Sequence, residues 1–162
     1  MKEFLLFLPI TIAYLALKST VLAGFPLPDV TLIIVFYMAH RKAAVDGALA
    51  AFALGYLDDA MSGGVLGASS FSLVLIFAAV HLLSKVVQFT TPAIRIGGVF
   101  AASVLKGALA YYILRAAGLG AIFQPGMVLE AAVSGLLAPA VFALLQKTAD
   151  LATPRKFKDN EN

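Results

Sequence analysis

The chain has 162 residues, of which 61% are hydrophobic and 13% charged, and its mean hydropathy is +0.94. A soluble domain is only about 45–50% apolar, because it must cover its surface with polar side chains. The composition therefore predicts a membrane protein and excludes a soluble catalytic or nucleotide-binding domain. Cysteine is absent, which excludes disulfides, thiolate metal sites and cysteine nucleophiles.

Six apolar runs follow one another and predict an all-α, polytopic membrane protein with six transmembrane helices in one compact bundle. The runs cover residues 4–23, 30–39, 43–57, 68–83, 96–114 and 127–145. The second run spans only about 15 Å at 1.5 Å per residue, so it is either a partial span or a full span whose ends are covered by protein. Residues 1–146 are expected to form the transmembrane domain, and residues 147–162 a short basic cytoplasmic tail.

Lysine and arginine are distributed unevenly between the two sides of the predicted bundle. Only Arg115 lies on the side opposite the termini, while Lys18 and Lys106 fall within spans. The other nine lie on the side of the termini: Lys2, Arg41, Lys42, Lys85, Arg95, Lys147, Arg155, Lys156 and Lys158. Because basic loops stay in the cytoplasm, both termini are predicted to be cytoplasmic. The net charge of +3 is thereby explained without a nucleic-acid partner.

Small residues recur every four positions along the third run. Gly47, Ala51, Gly55 and Asp59 share one helix face. Small side chains let the backbones of neighbouring membrane helices approach closely. We therefore predict that Gly47, Ala51 and Gly55 form a helix-packing surface.

Acidic residues gather at the predicted external end of the bundle, where Asp29, Asp58 and Asp59 form a rim with Gly63 and Gly64. Asp29 precedes the second run, and an acid at a helix N-terminus can cap free N–H groups. Asp58 and Asp59 either face the headgroups or cap the next turn, or they have a structural or partner-recognition role. The sequence leaves these alternatives open.

Lys106 lies near the middle of the fifth run, where a charge is costly. Glu130, about one turn into the sixth run, is the predicted partner of Lys106 in an intramembrane ion pair. The alternatives are that Lys106 reaches toward the interface or contacts a ligand or another protein. Lys18 either pairs with one of the rim aspartates or extends to the external interface.

The sequence contains no pattern typical of a nucleophilic, zinc-protease, phosphate-binding or dinucleotide-binding site. His40 and His81 have basic neighbours, which disfavours a cation site, and no cluster of further ligands accompanies them. We therefore expect a protein that is not an enzyme and that has no metal and no cofactor.

Several features resemble the MreD family of rod shape-determining proteins. Length and layout are similar over nearly the whole chain, Pro28-Asp29 opens the second run, and Gly47 lies near the start of the third. The most specific feature is the stretch Gly-Tyr-Leu-Asp-Asp-Ala-Met-Ser-Gly-Gly-Val-Leu-Gly at 55–67. Asp58, three residues after Gly55, is taken as the counterpart of the family aspartate. The short second run and Lys106 have no counterpart in this resemblance.

The resemblance implies a non-enzymatic scaffold of the cell-elongation machinery, which makes peptidoglycan, in the bacterial inner membrane. Its implied partners are an MreC-like protein, MreB filaments, RodA and the penicillin-binding transpeptidase of RodA. Apart from the resemblance, we expect membrane lipid around the bundle and a homodimer as a further assembly. The implied fold is similar to the substrate-binding subunits of energy-coupling-factor vitamin transporters. The alternative function is such a subunit itself, although the Ala-xxx-Ala pattern on the first helix is absent.

Overall fold

The computed structural model describes residues 2–20, 27–40, 44–62, 65–86, 91–118 and 126–152. Within these ranges the chain is entirely helical, which confirms the predicted all-α class. The six helices are α1 (Lys2–Thr20), α2 (Val30–Ala39), α3 (Ala44–Ser62), α4 (Ala68–Leu83), α5 (Pro92–Ala116) and α6 (Gly126–Ala152). Gly63, Gly64 and residues 153–162 of the predicted tail lie outside the described residues.

The observed helix ends agree with the ends of the apolar runs for some helices and differ for others. α2 and α4 match their predicted ranges, whereas α3 continues to Ser62 and α6 to Ala152. The last turns of α3 and α6 are more polar than the apolar runs, so the runs alone place these two helix ends too early. Asp58 and Asp59 consequently lie inside α3 rather than after it.

Length, composition and exposed surface together support a membrane location. Among the described residues, Pro92–Ala116 and Gly126–Thr148 are each long and apolar enough to cross a membrane, and Val30–Ala39 and Ala68–Leu83 are shorter apolar helices. Large apolar side chains cover the outside of the bundle; on α3, Leu49 is 65% exposed and Phe52 55%. A soluble monomer rarely exposes such contiguous apolar surface, whereas lipid solvates it.

The short helix α2 forms the centre of the bundle. It contacts each of the other five helices, and every residue from 31 to 39 is buried. A helix that is apolar on all sides is expected to be surrounded by protein or lipid, and here protein surrounds it. At about 15 Å, α2 covers only half of a hydrocarbon core about 30 Å thick.

The small-residue face of α3 lies against α4. A Cβ atom added to Gly55 would lie 2.4 Å from the backbone Cα of Ser70, and one added to Gly47 would lie 2.2 Å from the Phe77 ring. Ala51, between the two glycines on the same face, is buried. The two helices therefore approach so closely at Gly55 that no side chain fits there without moving α4.

Candidate functional site

The N-terminus of α2 is the point where polar groups from several helices converge. Asp29 is the N-cap of α2, and its Oδ1 accepts a hydrogen bond from the Leu32 N–H at 3.0 Å. Its own N–H donates to Ser134 Oγ on α6 at 2.8 Å. The Tyr14 hydroxyl on α1 donates to the carbonyl oxygen of Pro28. The N–H groups at the start of α2 are thus satisfied by its own N-cap, Asp29, and by Ser134 of a neighbouring helix.

Lys106 joins this N-terminus to α3. Its Nζ lies 2.5 Å from Asp29 Oδ2 and 2.9 Å from Asp58 Oδ2. All three side chains are well buried: 14% of the Lys106 side chain is exposed, and 8% of each carboxylate side chain. One ammonium group shared by two carboxylates makes charge-assisted hydrogen bonds, which are stronger than neutral ones. This Asp29–Lys106–Asp58 triad therefore connects α2, α3 and α5.

The sequence predicted that Glu130 pairs with Lys106, and this prediction is wrong. Glu130 pairs with Lys18, whose Nζ lies 3.3 Å from Glu130 Oε1. Depth does not separate the two residues, because Gly107, next to Lys106, lies against Met127, one turn before Glu130. Lys106 is instead bound by Asp29 and Asp58. The short α2 begins deep enough to present Asp29 to Lys106. The Lys18–Glu130 pair is the more exposed of the two, at 28% and 38%.

Asp59 has a role different from that of Asp58. Its carboxylate accepts hydrogen bonds from the N–H groups of Gly67 at 2.8 Å and Ser69 at 3.1 Å, at the start of α4. Gly67 has a φ of 98°, a left-handed conformation that glycine adopts without a Cβ clash. Asp59 thus caps the next helix, one of the alternatives open at the sequence level. Because Asp58 and Asp59 are both buried, neither carboxylate offers a surface for direct partner recognition.

The two histidines are bound to backbone carbonyl groups at the opposite end of α2. Nδ1 of His40 lies 3.1 Å from the Phe36 oxygen, and Nδ1 of His81 lies 2.7 Å from the Ala39 oxygen. The His81 ring also stacks on Phe77. Within the described ranges no three His, Cys, Asp or Glu side chains come together as a metal site would require. The His81 contact therefore joins α4 to the end of α2, whereas the His40 contact lies within the last turn of α2.

Sequence reasoning identified the charged members of this site but not its uncharged ones. Tyr14 and Ser134 complete the polar contacts of the α2 N-terminus, and Ser134 is completely buried. The sequence contains only a weak indication of these two residues, because Tyr14 and Ser134 are simply hydrogen-bonding residues within largely apolar runs. Serine is common in membrane helices for packing reasons alone, so the residue type did not distinguish Ser134.

Comparison with known proteins places this architecture in a family. The family model for rod shape-determining protein MreD matches residues 3–148, which is nearly the whole chain. No curated protein and no solved structure matches the chain. The match includes the triad residues, the small-residue face of α3 and the Asp59 cap. The chain therefore belongs to the MreD family of rod shape-determining proteins.

Proposed function

We propose that this MreD protein is a non-enzymatic scaffold that helps assemble the cell-elongation machinery in the bacterial inner membrane. Family membership implies a role in rod shape determination. The observation that carries the scaffold proposal is the use of its buried charges: Asp29, Asp58 and Lys106 join three helices, and Asp59 caps a fourth. Buried charges that hold helices in fixed positions make the bundle rigid, and a rigid bundle is suited to bind other proteins.

The proposed principal partner is an MreC-like protein, which contacts the rim at the start of α4. Since Asp58 and Asp59 are buried, their part in this contact is indirect: Asp59 orders the turn before α4, and Asp58 holds α3 through Lys106. That turn exposes two apolar side chains, Val65 at 37% and Leu66 at 60%. Exposed apolar residues on an ordered turn are suited to a protein contact, because the turn loses little conformational entropy on binding.

Co-purification with the MreC-like protein from membranes tests this contact. Leu66→Ser should reduce recovery of the partner, and Asp59→Ala should do the same by loosening the turn. Leu136→Ser is the control, because Leu136 is an equally apolar side chain on α6 that is 75% exposed. If Leu66→Ser and Asp59→Ala recover as much partner as Leu136→Ser, the rim contact is refuted, while the family assignment is unaffected.

We propose the wider cell-elongation assembly from the same family membership. MreB filaments would be linked through this bundle to RodA and its penicillin-binding transpeptidase, with both termini of the chain in the cytoplasm. The uneven distribution of Lys and Arg supports this orientation. A homodimer and lipid contacts on the exposed apolar faces belong to the same proposal. The fold shared with substrate-binding subunits of energy-coupling-factor transporters is proposed from the family resemblance.

The alternative function, a vitamin-binding transporter subunit, makes a different prediction about the bundle. The cavity beside Lys106 has a volume of about 180 Å³, which is below the roughly 300–1,000 Å³ of drug-sized ligand sites. A vitamin that remained bound through purification would favour the transporter function over the scaffold. Mass spectrometry of the purified protein's extract measures this directly.

A further inference from the structure

A cavity of about 180 Å³ lies between the N-terminus of α2 and the helices α5 and α6. Asp29, Ser103, Lys106 and Glu130 supply its polar walls, and the small side chains of the neighbouring α5 residues leave the space open. An engineered protein cavity of about 150 Å³ takes a benzene molecule. The cavity therefore has room for a guest of about six non-hydrogen atoms.

The charges around the cavity do not balance. Asp29, Asp58 and Glu130 are three carboxylates, and they are met by two ammonium groups, those of Lys18 and Lys106. The five ionised side chains therefore carry a formal charge of −1. An uncompensated charge at membrane depth is costly, so a cationic guest would be favoured over an anionic or neutral one.

Two acceptor atoms at the cavity receive no hydrogen bond from the described residues. The hydroxyl oxygen of Ser103 is buried and has no hydrogen-bond partner among the described residues. Glu130 accepts from Lys18 through Oε1, which leaves its second carboxylate oxygen, Oε2, for another donor. A buried polar atom without a hydrogen-bond partner carries an energetic cost. A guest that donates hydrogen bonds would remove this cost.

From these observations the geometry points to a binding site for a primary ammonium group on a short carbon stem. The ammonium has three N–H donors, as the lysine head group does, and Glu130 and Ser103 accept two of them. Its charge neutralises the cluster, while Ala110 and Met127 contact the methylene groups. Quaternary ammonium groups prefer aromatic cages, and no aromatic ring is among the described residues that line this cavity.

Two sources can supply this chemistry: the ethanolamine headgroup of a phospholipid, or a free short amine. The experiment uses the full chain reconstituted in nanodiscs that contain equal amounts of phosphatidylethanolamine and phosphatidylcholine. Native mass spectrometry then measures which lipid is retained. In parallel, ethanolamine hydrochloride is added to the detergent-solubilised protein, with sodium chloride at equal ionic strength as the reference, and the melting temperature is measured.

Three variants locate the site. Glu130→Gln and Ser103→Ala each remove one acceptor, and each should reduce amine retention about tenfold, the effect of losing one charge-assisted hydrogen bond. Ser103→Ala removes only a hydroxyl group, so it stays informative if Glu130→Gln unfolds. Asp46→Asn is the control, because Asp46 is an exposed acid at the opposite end of α3 from Asp58. This variant should retain the amine as the parent protein does.

Each outcome decides the proposal. Preference for phosphatidylethanolamine that Ser103→Ala weakens and Asp46→Asn does not identifies a lipid headgroup as the guest. A rise in melting temperature with ethanolamine, without any lipid preference, identifies a free amine. If neither lipid is preferred and ethanolamine has no effect beyond sodium chloride, or if Asp46→Asn weakens retention as much as Ser103→Ala, the site is refuted.

Discussion

Replacing Lys106 with methionine is the most direct test of the triad. Methionine has a side chain of similar length and fills the same space, so the change removes the charge with little loss of packing. In Lys106→Met the carboxylates of Asp29 and Asp58 remain, and they lose the Nζ that lies 2.5 and 2.9 Å from them. Two buried carboxylates then face each other without a cation.

The expected loss of stability is large. Removing one partner of a buried ion pair costs about 3–5 kcal/mol, because the remaining charge is left uncompensated. For a chain of this size that corresponds to a melting temperature lower by roughly 6–20 °C. Asp58→Asn should cost less than about 2 kcal/mol, because the remaining Lys106–Asp29 pair is balanced and only one charge-assisted hydrogen bond is weakened.

Thermal unfolding in detergent measures both changes, and Lys85→Met, which removes an exposed lysine, is the charge-matched control. Adding Asp58→Asn to Lys106→Met should recover part of the loss, since it removes one of the two stranded carboxylates. A Lys106→Met protein as stable as the parent, or a double variant less stable than Lys106→Met alone, would refute the role assigned to the triad.

Three further predictions concern the α3–α4 contact and the orientation of the chain. Asp59→Ala removes a helix cap and should lower the free energy of unfolding by about 1–2 kcal/mol, as measured by denaturant titration; an unchanged value contradicts the capping role. Gly55→Ala should destabilise by at least about 1–3 kcal/mol in the same titration, because its Cβ would meet α4 backbone, whereas Gly97→Ala, with open space around it, should not. In intact cells a membrane-impermeant maleimide should label Ala117→Cys but not Lys85→Cys. The reverse pattern would overturn the proposed orientation. Because the chain has no native cysteine, any label on it lies at the introduced residue.

The fold class and the extents of α2 and α4 could be predicted because composition and breakers determine them locally. Apolar runs identify helices whatever lies around them, and residues such as Pro28 and Gly67 mark where these two runs begin. The end of α3 could not be predicted in the same way. Asp58 and Asp59 look like the edge of a span, yet they lie inside α3, where Lys106, distant in sequence, and the nearby α4 N-terminus supply their partners.

The charged residues of the site could be predicted, but their pairing could not. A lysine in the middle of a span is expected to pair with a carboxylate, and Glu130 on the next helix is a candidate in the sequence. Lys106 and Glu130 lie at similar depth, so the pairing depends instead on where α2 begins, because that places Asp29. For Asp29 that position follows from the shortness of α2, whose consequence for depth appears only when the helices are packed together.

The two features without a counterpart in the family resemblance, the short α2 and the intramembrane Lys106, are physically connected. A helix of half the membrane thickness must place one of its ends inside the hydrocarbon region, where open N–H groups cannot reach water. Asp29 caps that end but brings a negative charge to the same depth. Lys106 compensates this charge, and Asp58 then joins α3 to the pair. The triad therefore follows from the shortness of α2, and lengthening α2 toward the surface would remove the need for a lysine in α5.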